Sequence, residues 1–299
     1  MGPSLAVVLL AATTTLLAPA AFASAPSAPV ADAGFGAPQP VTIDGYSAGA
    51  MEPFISRDGH DLFFNTTNQS PDIPAIQLAT RVSTQEFTYQ GPLAGANDPP
   101  ALSATPSMDD AGTLYFISTR SYPQTLSTVY AGTFAAGQLT AVHLVAGVSA
   151  PSPGTVDFDV EVSPDGSTLY VSVGQFGSGS TPTGAGLAVY DKTGSSFVLD
   201  PQSARILHAV NRKGILTYAA SISSDGLELF FTRAKPTGGH PSIYRAVRST
   251  TGGAFGHVQR LADITGFAEA PSLSADGSTL YYHLLVGSRF DIESVSRGQ

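Results

Sequence analysis

Apolar and polar positions in this 299-residue chain alternate over short runs, and one such run returns five times. The last copy reads Ala270-Pro271-Ser272-Leu273-Ser274-Ala275-Asp276-Gly277-Ser278-Thr279-Leu280-Tyr281-Tyr282, and earlier copies turn at Asp58-Gly59, Ala111-Gly112, Asp165-Gly166 and Asp225-Gly226. Alternation of period two on both sides of such a pair predicts a β-hairpin, because glycine accepts the positive φ that the turn needs. Leu62, Leu114, Leu169, Leu229 and Leu280 mark the second strand of each copy, at separations of 52, 55, 60 and 51 residues. A period of this length predicts a propeller or solenoid. One hairpin cannot bury its apolar face, whereas several stacked radially can.

Two further runs follow each hairpin. Third strands are expected at 76–78, 128–131, 187–190, 243–246 and 292–294, and fourth strands from Phe87, Leu139, Phe197 and Phe255. The last unit has no fourth strand of its own. The segment 35–45, beginning Phe35-Gly36, resembles the one beginning Phe255-Gly256 that precedes the fifth hairpin. The strand near Val41 is therefore expected to complete the C-terminal sheet, which removes two free edges. The expected fold is all-β, a single five-bladed β-propeller of four-stranded blades over residues 34–299, with six blades as the alternative.

The phrase at 271–282, with Ser163-Pro164-Asp165-Gly166 as its best-preserved core, resembles the WD40-like (PD40) repeats of TolB-type β-propellers. The likeness covers roughly residues 35–299. It implies a secreted or periplasmic propeller, a protein-interaction scaffold in many members and an enzyme in others, oligogalacturonate lyases and the propeller domains of prolyl peptidases among them. The chain departs from TolB in lacking a preceding α/β domain and in showing five copies where six blades would be expected, and it carries no peptidase domain. The resemblance speaks to fold more than to function.

Composition narrows the partners. A formal charge of −9, a pI near 4.9 and only 14 Lys and Arg residues exclude nucleic acid as an electrostatic partner. The absence of cysteine excludes disulfides, thiolate catalysis and cysteine-bound zinc. An apolar run over 5–22 that ends in the small-x-small site Ala21-Phe22-Ala23 reads as a secretory signal peptide spanning 1–23, although no Lys or Arg precedes it. An Ala/Pro/Ser-rich linker over 24–33 follows. The expected location is secreted or periplasmic, with no membrane span after signal removal, and the expected state is a monomer. The expected ligand is a protein, peptide or polysaccharide held at the channel mouth. The alternative is a carbohydrate-active lyase or glycoside hydrolase.

The loops on one propeller face supply the candidate chemistry. Asp157-Phe158-Asp159-Val160-Glu161 stands out, because alternation would put three carboxylates on one side of an innermost strand. Mutual repulsion would be relieved by a cation, an arginine or a proton. Asp157, Asp159 and Glu161 are thus candidate ligands for Ca²⁺, which prefers oxygen donors. Glu52, Asp157 and Asp159 are candidate catalytic carboxylates for glycoside chemistry. The competing reading is that these groups cap turns, pair with a basic side chain or line a wet channel. Candidate ligand-binding residues are Tyr46, Arg120, Tyr122, Arg212, Tyr218, Arg233, His240, Glu269 and His283. For the arginines the competing role is structural, between blades. The basic stretch 200–218 lengthens the fourth period and is a candidate ligand contact or lid.

Overall fold

The computed structural model describes residues 34–68, 73–177 and 181–298, so the expected signal peptide and linker lie outside the described residues. Two short strands, β1 (Gln39–Pro40) and β2 (Thr42–Asp44), lead into the first hairpin, β3 (Ala50–Ile55) and β4 (Asp61–Thr66), which β5 (Ile76–Arg81) and β6 (Glu86–Pro92) extend. Blade two is β7 (Ser103–Met108), β8 (Thr113–Ser118), β9 (Val129–Ala135) and β10 (Gln138–Leu144). Blade three is β11 (Thr155–Val162), β12 (Thr168–Phe176), β13 (Pro182–Thr193) and β14 (Ser196–Leu199). Blade four is β15 (Leu216–Ile222), β16 (Glu228–Ala234), β17 (Ser242–Val247) and β18 (Gly256–Arg260). Blade five is β19 (Ala268–Leu273), β20 (Thr279–Val286) and β21 (Arg289–Ser296), completed by β1. The protein is a five-bladed β-propeller.

Closure follows the expected route and adds a step. Gln39 lies opposite Ser294 and Pro40 opposite Glu293, and the Val41 N–H donates to the Ile292 carbonyl at 2.9 Å. The chain then leaves blade five, and β2 runs parallel to β6 as a fifth strand of blade one. One segment thus covers an edge of the last blade and an edge of the first.

The repeated turn is built from side chains that bond their own backbone. Oδ1 of Asp58, Asp165, Asp225 and Asp276 accepts the hydroxyl of Ser56, Ser163, Ser223 and Ser274 at 2.5–2.6 Å. It also accepts the N–H two residues later at 2.9–3.0 Å. The following glycine takes the left-handed conformation, as at Gly277 with φ +71°. In blade two Asp109 replaces the serine and accepts the N–H groups of Ala111 and Thr113 directly.

The five marker leucines are wholly buried. Blades meet face to face, with Tyr115 and Val129 of blade two against Val160, Leu169 and Phe197 of blade three. The stretch 200–218 belongs to this packing. Its short helix α2 (Ser203–Ile206) buries Ile206 beside Leu207 and Val210 between blades three and four. Asn211 clamps both backbone groups of Leu187, at 2.9 and 2.8 Å, as Asn97 clamps Ile76 in blade one. The added length therefore fills a gap between blades, and only its exposed residues, Arg212 and Lys213 among them, face solvent.

Candidate functional site

The first strands of the blades, β3, β7, β11, β15 and β19, surround the central channel. At matching positions stand Glu52, Thr105, Asp159, Ala219 and Ala270, all of which line it. Four of these, Glu52, Thr105, Ala219 and Ala270, have φ of 51°, 51°, 52° and 53°. That conformation costs an L-residue about 1–2 kcal/mol, and each N–H so turned reaches a side chain of the preceding blade. The acceptors are His283 Nδ1 for Glu52 at 2.9 Å and Asn65 Oδ1 for Thr105 at 3.2 Å. Ser172 Oγ serves Ala219 at 3.1 Å and Thr232 Oγ1 serves Ala270 at 3.0 Å. At the junction of blades two and three the corresponding residue is Ile117, which has no acceptor, and Asp159 does not adopt the positive φ.

The β11 strand bulges one residue earlier. Asp157 lies opposite Val173 and Asp159 opposite Ser172, so Phe158 is the extra residue. The bulge separates Asp157 from Asp159 and Glu161, which keep the expected common side and both line the channel. The backbone carbonyl of Asp157 accepts the Thr128 hydroxyl of blade two, and both of its carboxyl oxygens are buried without a hydrogen-bond partner among the described residues. Burial pushes the Asp157 carboxyl up to about 6.

Glu161 serves structure. In blades two, four and five, Ser107, Ser221 and Ser272 each accept an N–H from the next blade at 3.0–3.1 Å. Glu161 Oε1 does the same for Ile222 at 3.1 Å. Its charge is met by Arg57 at 3.3 Å and by the Ser107 hydroxyl at 2.6 Å. Arg57 reaches across from blade one and also donates to the carbonyls of Met108 and Val162. The sequence reading missed Arg57. Its only signal is an arginine at a turn position held elsewhere by Asp110, Pro164, Ser224 and Ala275. The three carboxylates expected to bind Ca²⁺ are thus not gathered together. Among the described residues, no group of three or more His, Asp or Glu side chains is placed to hold a metal ion.

A different group assembles at the channel. Glu269, from β19, accepts His283 Nε2–H through Oε2 at 3.1 Å and the Tyr218 hydroxyl through Oε1. Burial, then the charges of Asp159 and Glu269, push the Glu52 carboxyl well above the carboxylate range. Burial and the Glu161 charge push Asp159 up to about 8, against the Ser172 hydroxyl, which lowers it. The adjoining channel section, walled by Pro53, Pro106, Ala220 and Pro271, is narrow, with a cavity volume of about 20 Å³, room for little more than a water molecule. Burial and neighbouring carboxylates thus favour the protonated form of both Glu52 and Asp159.

The remaining candidates lie apart from this cluster. Tyr46 packs inside blade one against Phe64 and Tyr89 and donates to the Gly49 carbonyl. Arg120 bonds the Ala96 carbonyl and stacks on Phe116 and Tyr130, and Arg233 bonds the Ala209 and Val210 carbonyls over Phe231 and Tyr244. Both hold connectors between blades. Tyr122, in the one-turn helix α1 (Tyr122–Thr125), donates to the Thr155 carbonyl at 2.9 Å. Arg212 is exposed. His240 is exposed and meets the edge of Phe267.

The fold is shared with solved propellers of two kinds. It superposes on a glycoside hydrolase at 12% identity and TM-score 0.61, over 87% of this chain and 90% of that one. The endo-arabinase of Bacteroides thetaiotaomicron VPI-5482 matches at 12% identity and TM-score 0.54, over 87% and 98%. A TolB from Agrobacterium tumefaciens matches at 12% and 0.50, over 87% and 78%. Against TolB from Acinetobacter baumannii, at 18% identity and TM-score 0.46, the chain spans only 55% of that protein's length. No protein-family model matches the sequence, and no curated protein does. At these identities the likeness is one of fold, and it joins the chain to both TolB-type and glycoside-hydrolase propellers.

Proposed function

We propose that the protein is a secreted or periplasmic glycoside hydrolase whose acid and base are Glu52 and Asp159. The observation that carries this reading is the meeting of these two carboxyls in one channel, with Glu52 feeling the charge of Asp159. Glu52 faces two neighbouring carboxylates, Asp159 and Glu269, and Asp159 faces one, Glu161, which pairs with Arg57 and still raises Asp159. We assign Glu52, with two carboxylates beside it, as the group that holds the proton and Asp159 as its partner. Glu52 is placed to protonate the leaving glycosidic oxygen and Asp159 to assist attack at the anomeric carbon. Two of the solved structures the chain superposes on support a polysaccharide substrate, and the endo-arabinase suggests arabinose-containing polymers as the first panel. The expected signal peptide suits an enzyme acting on an extracellular polymer.

The test is reducing-sugar release by the purified protein from arabinan, arabinoxylan and unrelated polysaccharides between pH 4 and 8. Glu52→Gln and Asp159→Asn should each lower turnover by about 100-fold or more, with circular dichroism unchanged. Asp276→Asn, in a turn, should retain it. Polysaccharide binding without turnover by the unaltered protein would overturn the hydrolase in favour of a non-catalytic binding module.

A further inference from the structure

Four blade junctions share one device, and one of them uses an unexpected side chain. Asn65, Ser172 and Thr232 each offer an oxygen to the turned-out N–H of the next blade. Between blades five and one the acceptor is the imidazole of His283, 2.9 Å from the Glu52 nitrogen. A backbone N–H can only donate, so Nδ1 is the bare nitrogen and the ring proton is on Nε2. Nε2 lies 3.1 Å from Glu269 Oε2 and donates to it.

The other Glu269 oxygen takes the Tyr218 hydroxyl, which keeps its proton because burial and the Glu269 charge push it well above the phenol range. Both oxygens of Glu269 are therefore engaged as acceptors. The imidazole is fully buried and meets the Phe290 ring edge-on at 5.2 Å and 86°, which sets its plane. The charged or titratable groups around it are Glu52 on β3, Glu269 on β19 and, through Glu269, Tyr218 on β15. On β21, Asp291 and Arg289 pair with each other at 2.7 Å. A staple alone does not require imidazole, since an amide or a hydroxyl does the work at three other junctions.

We infer that His283 is a positioning residue of the channel site: as the Nε2–H tautomer it ties the Glu52 backbone to the Glu269 carboxylate and so sets both groups relative to each other. The inference rests on the hydrolase reading for its effect on rate, but the tie itself is measurable without a substrate. His283→Asn keeps an acceptor for the Glu52 N–H, as Asn65 provides for Thr105, and loses the bond to Glu269. His283→Gln can return an amide N–H to Glu269.

Both variants should fold, with melting temperatures close to the unaltered protein. His283→Asn should lower kcat by about 10- to 100-fold with little change in KM and displace the pH profile, and His283→Gln should recover part of the loss. Unaltered kcat and pH profile in His283→Asn would reduce His283 to a staple and overturn the inference. Independently, nitrogen–proton NMR of the full chain at pH 7 should show His283, identified by its absence in His283→Asn, with bare Nδ1 and protonated Nε2. The Nε2–H signal should move in Glu269→Gln. An Nδ1–H tautomer, or an Nε2–H signal indifferent to Glu269→Gln, would overturn the inference. The expected spectrum from a protein that hydrolyses no glycan would sink the hydrolase alone and leave the tie standing.

Discussion

Asp157 is the group whose replacement tests the electrostatics of this fold most directly. It occupies the position held by Ser103 in blade two and Thr217 in blade four, whose hydroxyls donate to the Ala96 and Val210 carbonyls. Asp157 is 1% exposed and neither carboxyl oxygen has a hydrogen-bond partner among the described residues, so its charged form is disfavoured and its pKa stands at about 6 against an ordinary 3.8. Below pH 3.8 the carboxyl is protonated in the folded and unfolded chain alike, and the group carries no penalty. Between 3.8 and about 6 the unfolded chain ionises first, so the folded state loses stability as pH rises, and above that the loss is complete. At about 1.36 kcal/mol per pH unit, the penalty amounts to about 3 kcal/mol.

Asp157→Asn removes the titration and keeps the shape. Its unpartnered amide adds a cost of its own, but one independent of pH. Relative to the unaltered protein, the variant should therefore gain about 2.5 kcal/mol between pH 4 and pH 8, read as roughly 5 to 10 °C in melting temperature. The raised carboxyls of Glu52 and Asp159 are common to both proteins and cancel in the comparison. Melting curves and urea titrations at pH 4, 5, 6, 7 and 8 measure it. A difference between the two proteins that stays constant across that range would refute the reasoning.

Two further predictions concern the frame around the site. Arg57→Met leaves Glu161 charged and buried and should cost about 3–5 kcal/mol in urea unfolding. Adding Glu161→Ser, the residue type at Ser107, Ser221 and Ser272, should recover most of that loss, and additivity of the two changes would count against the pairing. Phe35→Ala removes a buried ring that meets Phe230 edge-on at 5.8 Å, beside the bridge from Phe35 to Arg297. It should cost about 3 kcal/mol and speed hydrogen exchange in β21 before β9, whereas uniform exchange would argue against closure through the N-terminal segment.

Much of the frame is legible because its signals are local. Alternation, the Ser-x-Asp-Gly turn and the buried leucine each act within one hairpin, so Ser163-Pro164-Asp165-Gly166 announces a strand pair wherever it occurs. The likeness of the segments starting at Phe35 and Phe255 was enough to predict closure. The second pairing of that segment, β2 beside β6, left no comparable mark, since three residues of strand carry little pattern. Arg120 and Arg233 read more readily as clamps between blades than as ligand contacts, but nothing local to either names what it holds. The carbonyls they bond belong to connectors whose path no short motif records.

The blade count, the hairpin turns and the direction of closure were therefore determined by the sequence alone, through interactions a few residues apart. Which carboxylates meet was decided only in three dimensions. A single extra residue at Phe158 separates Asp157 from the channel-lining Asp159 and Glu161, and a bulge of that size leaves the alternating pattern intact on paper. Glu52 and His283 are 231 residues apart and touch because the ring closes there. The channel is where five first strands converge, so its chemistry is a property of the closed ring.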